Sequence, residues 1–475
     1  MAARAQAAGV TERMPDTNVW LALAVAAYGI VAVGLVFYVL GVRRASLFDP
    51  LLQCVVFISL FTLPLPLRAL TSDIIEGDVT EHLPQLKPFL AISVVYAAVG
   101  LICLAIAYYS RVAVALGRAF PHPPVVRRPR VYSTTLLLGA FSLFLLAVLA
   151  REVGGLVAFV LLGYNSSAET FGRGYLAIGF PWLFVTGMFP LYRYALLRRR
   201  TDLFVAGGFM VGLAVVQLLL GNRSVVMYMG LTIAFFVHYA VRPLPARVLI
   251  PLAFAGFVFL NIVGFLRGSK YQSFSDLVTR SAAAVGGLQQ SNDLDHRWFY
   301  TLTTGEFVVP FETLPEMVRS VGTRVPPTLG TTFLRAPLFM VPSVIYPDRP
   351  LPLTNWYMAK FYGSGFGLNE GRAFFFMSEG YLNFGPAGII LLLFAWGAFW
   401  GAVREYVRLA NGNPGSALLA ALSVAFIFRA VAGDFVSLLI GLPEQSLSCA
   451  VIGLALMTGF GAWYRYRPQA GAAAA

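Results

Sequence analysis

Ser378-Glu379-Gly380-Tyr381-Leu382-Asn383-Phe384-Gly385-Pro386-Ala387-Gly388 marks the point where the chain turns from a long polar stretch back into apolar sequence. The polar stretch opens near Arg267 and is rich in arginine, acids and aromatics, whereas every other connection between apolar runs is short. On either side of it the sequence consists of runs of about 20 apolar residues, the length that crosses a hydrocarbon core as a helix. That contrast decides the fold class: an all-α polytopic membrane protein with one large loop on one face of the bilayer. Chemistry is expected on the face that carries the loop.

Composition points the same way. Hydrophobic residues are 58% of 475, charged residues 12%, and the mean hydropathy is +0.74; a soluble chain carries roughly 25% charged residues. In this class a net charge of +13 reads first as membrane topology. No dense Lys/Arg block with interleaved aromatics is present, so no nucleic-acid partner is expected. Cys54, Cys103 and Cys449 all fall within apolar runs and read as small core residues rather than a disulfide or zinc site.

Eleven apolar windows fall at about 18–41, 47–67, 88–109, 133–150, 175–197, 203–220, 224–241, 248–266, 386–403, 415–442 and 445–463. The expected organisation is a tail over 1–17, spans one to eight over 18–266, the large loop over 267–385, spans nine to eleven over 386–463, and a second tail over 464–475. No small-residue cleavage pattern follows the first span, so the N-terminal tail is not expected to be a cleaved signal. If the loops after odd-numbered spans face the cytoplasm, that side holds seventeen basic residues, among them Arg43, Arg44, Arg111, Arg118, Arg193, Arg198 to Arg200, Arg404 and Arg408. The opposite short loops hold five: Arg68, Lys87, Arg151, Arg173 and Arg223. The positive-inside rule then places the large loop outside. Within that loop Thr328–Tyr346 is apolar but interrupted by Arg335, Pro337 and Pro342, which fits a re-entrant or interfacial segment better than a span.

Charges at or inside the spans are costly to bury and are therefore candidates for function. Arg223, in Gly221-Asn222-Arg223-Ser224, sits in a tight outer turn, and Arg267 ends span eight on the same face. The planar guanidinium fork suits a diphosphate; the plainer role for each arginine is to snorkel to lipid phosphates. Arg429 and Asp434, five residues apart in span ten, would stand about 140° apart on one helix and so would find separate partners. Acid–base candidates in the loop are Asp293, Asp295, His296, Glu306, Glu312, Glu370 and Glu379. Glu379 leads, because burial beside glycine and aromatics just before a span would raise its pKa toward proton transfer; its plainer role is to bind backbone amides at a helix start. Glu306 and His296 follow. No HExxH or DxD pattern is present, so neither metal nor cofactor is implied.

The order Gly-Asn-Arg-Ser, then Gly264-Phe265-Leu266-Arg267, then Pro347-Asp348-Arg349-Pro350 and the 378–388 stretch resembles the oligosaccharide repeat-unit polymerases, the Wzy-type O-antigen and exopolysaccharide polymerases. The likeness in motif order runs from Gly221 to Asp434; the first two hundred residues resemble the family in topology alone. One pattern described for some members, an arginine followed at fixed spacing by glycine in two outer loops, is not cleanly met by Arg151 and Gly163. The resemblance implies a GT-C-like glycosyltransferase in the bacterial inner membrane that works on the periplasmic face. A glycan on undecaprenyl pyrophosphate would be transferred to a new lipid-linked repeat unit, beside membrane lipids and a chain-length regulator protein. It implies Arg223, Arg267 and Arg429 as pyrophosphate contacts, Glu379, Glu306 and His296 as catalytic candidates, and Trp298, Tyr300, Trp356, Tyr357, Tyr381 and Asn383 as sugar contacts. Two alternatives stay open: an O-antigen ligase that uses a loop histidine, for which His296 is the candidate, and a polysaccharide or lipid flippase.

Overall fold

Uninterrupted apolar sequence leaves helices as the one local way to satisfy backbone hydrogen bonds in lipid, and the described parts of the chain are helical throughout, apart from turns and one isolated bridge between Val321 and Val325. The computed structural model describes residues 17–71, 83–126, 130–161, 174–220, 222–251, 256, 309–341, 345–346, 351–362, 373–410, 412–442, 446–459 and 463. Among these, nine helical stretches are long and apolar enough to cross a membrane: Thr17–Val42, Pro50–Thr71, Leu86–Tyr108, Val131–Glu152, Tyr175–Leu197, Arg200–Leu219, Ser224–Val241, Pro386–Ala410 and Pro414–Val431. The chain is thus a multi-pass membrane protein.

These stretches coincide with nine of the eleven windows. The window at 248–266 lies outside the described residues except for 248–251 and 256. The last window is represented by a shorter apolar helix, Ser448–Thr458. The expectation of one continuous span over 415–442 is corrected. The helix stops at Val431, and Asp434, in an extended conformation, starts a separate helix at Phe435. Gly433 followed by an Asp whose side chain caps the next helix explains the break.

The helices that position the site are named as follows: α1, Leu83–Tyr108; α2, Val309–Ser320; α3, Thr331–Arg335, continued by a 3-10 turn over Ala336–Met340; α4, Leu353–Phe361; α5, Phe376–Phe384; α6, Pro386–Ala410; and α7, Phe435–Gly441. The frame is the pair α1 and α6. A Cβ on Gly397 would fall 2.1 Å from the Leu104 carbonyl oxygen, and one on Gly401 would fall 2.3 Å from that of Tyr108, while Gly100 faces Leu393. Small residues allow the two backbones to touch, the usual way helices associate in lipid. Because 100, 104 and 108 meet 393, 397 and 401 in order, the two helices run parallel.

Their C-terminal ends share one end of the bundle with many arginines. The Arg404 guanidinium lies 4.6 Å from the Tyr108 ring and Arg43 lies 4.8 Å from the Tyr109 ring, while Arg408 and Arg118 reach Glu405. The Tyr108 hydroxyl donates to Asp49, and Tyr239, at the end of span seven, donates to the Phe48 carbonyl at 2.6 Å. Val241 is therefore at the arginine-rich end and Pro386 at the other.

Candidate functional site

The 378–388 stretch builds a tight helical corner. Gly385, at φ +60°, ends α5 in a conformation that favours glycine, and Pro386 opens α6. α5 folds back against α6 so closely that a Cβ on Gly388 would lie 1.8 Å from the Gly380 carbonyl oxygen. The start of α5 is pinned to α2: the Phe375 N–H donates to the Thr313 hydroxyl at 3.1 Å, and the Thr313 and Ser378 hydroxyls are 2.7 Å apart. Asn383 ties the other side down. Its Oδ1 accepts from the Thr328 hydroxyl (2.7 Å) and the Gly330 N–H (2.8 Å), and its Nδ2 donates to the Thr332 hydroxyl (2.7 Å) and the Glu379 carbonyl (2.8 Å).

The corner delivers Glu379 to the centre. Its residue exposure is 1%. Oε1 accepts from the Thr332 hydroxyl at 2.7 Å and Oε2 from the Phe435 N–H at 2.6 Å. Asp434 stands next to it as the N-cap of α7: Oδ1 accepts from the Ser437 N–H (2.8 Å) and hydroxyl (2.6 Å), and Oδ2 accepts from the Leu353 N–H at 3.1 Å. Burial, with Asp434 adding to it, pushes the Glu379 carboxyl from the ordinary value of 4.5 up to about 8; the bonds from Phe435 and Thr332 offset part of that rise. Glu379 thus has a raised proton affinity while it accepts a backbone N–H at the start of α7.

A cavity of about 370 Å³ opens beside this carboxyl, bounded by Thr331, Thr332 and Arg335 of α3, Trp356 and Lys360 of α4, Glu379 and Leu382 of α5, and Val436 of α7. That volume falls within the roughly 300–1,000 Å³ of small-molecule sites. It has room for a pyranose ring or a diphosphate. The lining combines apolar side chains and the Trp356 ring with two cations, Arg335 and Lys360, and one buried acid, Glu379. Arg335 and Lys360 are both exposed. Among the described residues no group of three or more His, Cys, Asp or Glu side chains gathers as metal ligands would.

The sequence candidates divide sharply. Glu379 and Trp356 are brought to the cavity. Tyr357 is corrected: it is 1% exposed and packed among Phe361, Tyr362 and Phe374, so it offers no face to a sugar. Asn383 is corrected too, because it is fully buried and its four hydrogen bonds hold α5 to the 328–332 segment. Tyr381 turns away from the cavity toward Tyr96, with ring centres 5.9 Å apart. Arg429 remains in the last turn of span ten, half-buried, its guanidinium 5.7 Å from the Phe426 ring, and does not line the cavity. Glu312 is buried and accepts a hydrogen bond from the Tyr362 hydroxyl.

Arg267, His296, Trp298, Tyr300, Glu306 and Glu370 lie outside the described residues, as does the side chain of Arg223, whose backbone begins the helix at Arg223–Phe236. The broken segment expected over 328–346 is present as α3 and its 3-10 extension, packed on α7 through Phe333 and Phe435, with ring centres 5.3 Å apart. Arg335 and Lys360 were not among the candidate site residues. Arg335 was visible in the sequence as a charge inside an apolar segment, but nothing there signalled Lys360. Compared with protein-family models, with characterised proteins and with solved structures, the chain gives no match.

Proposed function

We propose that this chain is a polytopic glycosyltransferase of the bacterial inner membrane, with eleven spans in a GT-C-like arrangement, that polymerises lipid-linked oligosaccharide repeat units. In this reading the arginine-rich end is cytoplasmic and the cavity faces the periplasm. The observation that carries it is the meeting, at the loop end of the bundle, of Glu379 with Arg335, Lys360 and Trp356 around one cavity. The reaction needs a proton acceptor, fixed positive charge for a diphosphate leaving group and an aromatic face for a sugar; the cavity supplies each.

Glu379, as carboxylate, takes the proton of an acceptor sugar hydroxyl. The hydroxyl oxygen bonds to the anomeric carbon of the growing glycan. The anomeric carbon–oxygen bond to the diphosphate breaks, and its electron pair leaves on the undecaprenyl diphosphate. Arg335 and Lys360 stabilise that charge, which is commonly the largest catalytic contribution. Arg223, Arg267 and Arg429 remain candidates for holding the same lipid diphosphate at headgroup depth.

The test replaces the chromosomal gene with a null allele, the wild type or Glu379→Gln, and resolves surface and lipid-linked glycan by gel electrophoresis. The proposal expects long chains from the wild type alone and single repeat units from the other two. Loss of all glycan attached to lipid A core would point to a ligase. Unchanged chain length in the null strain would remove both readings.

A further inference from the structure

We propose that Asp434 is a positioning residue for this reaction, setting Glu379 and the helix that carries Trp356 and Lys360 against one another across the cavity. The inference rests on the polymerase reading for the identity of the reaction, and on geometry for the rest.

Two consecutive residues at the start of α7 reach two different walls of the cavity. The Phe435 N–H donates to Glu379 of α5 at 2.6 Å. Asp434 accepts from the Leu353 N–H of α4 at 3.1 Å. Leu353 is the first residue of α4, and Trp356 and Lys360 follow about one and two turns later on that helix. An N-cap needs a single oxygen, which Asp434 supplies with Oδ1 to Ser437; Ser, Thr or Asn would do as well. The second oxygen does what a cap does not require, and it does so at 1% exposure. Moving Asp434 therefore moves α4 relative to Glu379.

The charge of Asp434 acts on the same carboxyl. A neighbouring carboxylate disfavours ionisation of a buried carboxyl, and Asp434 is the second cause, after burial, of the high proton affinity of Glu379. Among the described residues, the other charged groups around Glu379 are Arg335 at the end of α3 and Lys360 from α4, both on the cavity. From α2 come Glu312, bonded to Tyr362, and Glu316, bonded to Arg319. α1 contributes Tyr96, which meets Tyr381, and the first turn of α6 has no titratable side chain. Asp434 is the carboxylate that shares the α7 turn with Glu379, so its charge adds to burial in raising the pH at which Glu379 can accept a proton.

The test uses the full-length protein in lipid nanodiscs. Infrared difference spectroscopy follows the protonated-carboxyl band that Glu379→Gln removes, across a pH titration of wild type, Asp434→Asn and Asp434→Ser. Both variants keep a capping oxygen and drop the charge. Wild type should titrate near pH 8, as the structure indicates, and both variants at least about one unit lower. In the same nanodiscs, supplied with a lipid-diphosphate oligosaccharide, the acid limb of glycan extension should move down in step. A midpoint unchanged in either folded variant overturns the proposal, and so does loss of folding in both, which would leave Asp434 a structural cap alone. A midpoint that moves in protein that extends no glycan supports the coupling and overturns the polymerase reading instead.

Discussion

At Glu379, burial and a neighbouring carboxylate act in the same direction, so the folded protein keeps a proton that the unfolded chain gives up. The sign follows from linkage: a group whose pKa rises from 4.5 to about 8 on folding stabilises the protein fully below 4.5, and that contribution is lost as pH climbs toward 8. Thermal unfolding of wild type and Glu379→Gln should therefore diverge across that window, with the wild type losing ground as pH rises; curves that stay parallel would contradict the account. For Arg335→Ala and Lys360→Ala, loss of a charge-assisted contact worth roughly 1.5–3 kcal/mol should weaken lipid-diphosphate use by about tenfold or more, measured as kcat/KM with the detergent-soluble substrate. Glu379 was readable as an acid placed between aromatics just before a span. In the structure one arrangement gives it both a bond from a backbone N–H at a helix start and a raised proton affinity. Trp356 and Tyr357 looked equivalent, because adjacent residues on a helix point about 100° apart and the sequence does not say which faces the cavity. Lys360 was not legible, since its place depends on how α4 packs against α5 and α7.

Among the elements, the α1–α6 contact is closely fitted along its length. Gly397 and Gly401 press against carbonyl oxygens of α1 at distances that leave no room for a side chain. Gly397→Ala should cost about 1–3 kcal/mol through overpacking, read as a lower unfolding temperature of the purified protein, whereas Gly34→Ala, with nothing within 4 Å, should be near neutral. The apolar windows located these helices to within a few residues, because hydrophobic length is a property of the local sequence. The break in span ten was harder to see: 415–442 is apolar apart from Arg429 and Asp434, and the stop and restart at Ala432-Gly433-Asp434 is accompanied by contacts from α7 to α4 and α5. The interruption of 328–346 by arginine and proline, by contrast, correctly marked a segment too broken to span.

Over the whole molecule, parity links fold to function. Parallel packing of α1 and α6, with Val241 at one end of the bundle and Pro386 at the other, makes the loop end a face distinct from the arginine-rich end. With the three native cysteines replaced, Arg324→Cys should react with a membrane-impermeant maleimide in intact spheroplasts, and Arg43→Cys only after permeabilisation; the reverse pattern would invert the topology. Nine of the eleven apolar windows were legible as long helices from hydrophobic length alone, which needs no tertiary information. The walls of the cavity were not, because they come from four short helices separated in sequence by up to a hundred residues. The most direct measurement is glycan extension by the purified protein in liposomes supplied with a lipid-diphosphate repeat unit. The account predicts a ladder of lengthened lipid-linked chains from wild type and at least a roughly hundredfold lower rate from folded Glu379→Gln, as expected when a general base is removed. Equal ladders from the two proteins would contradict it.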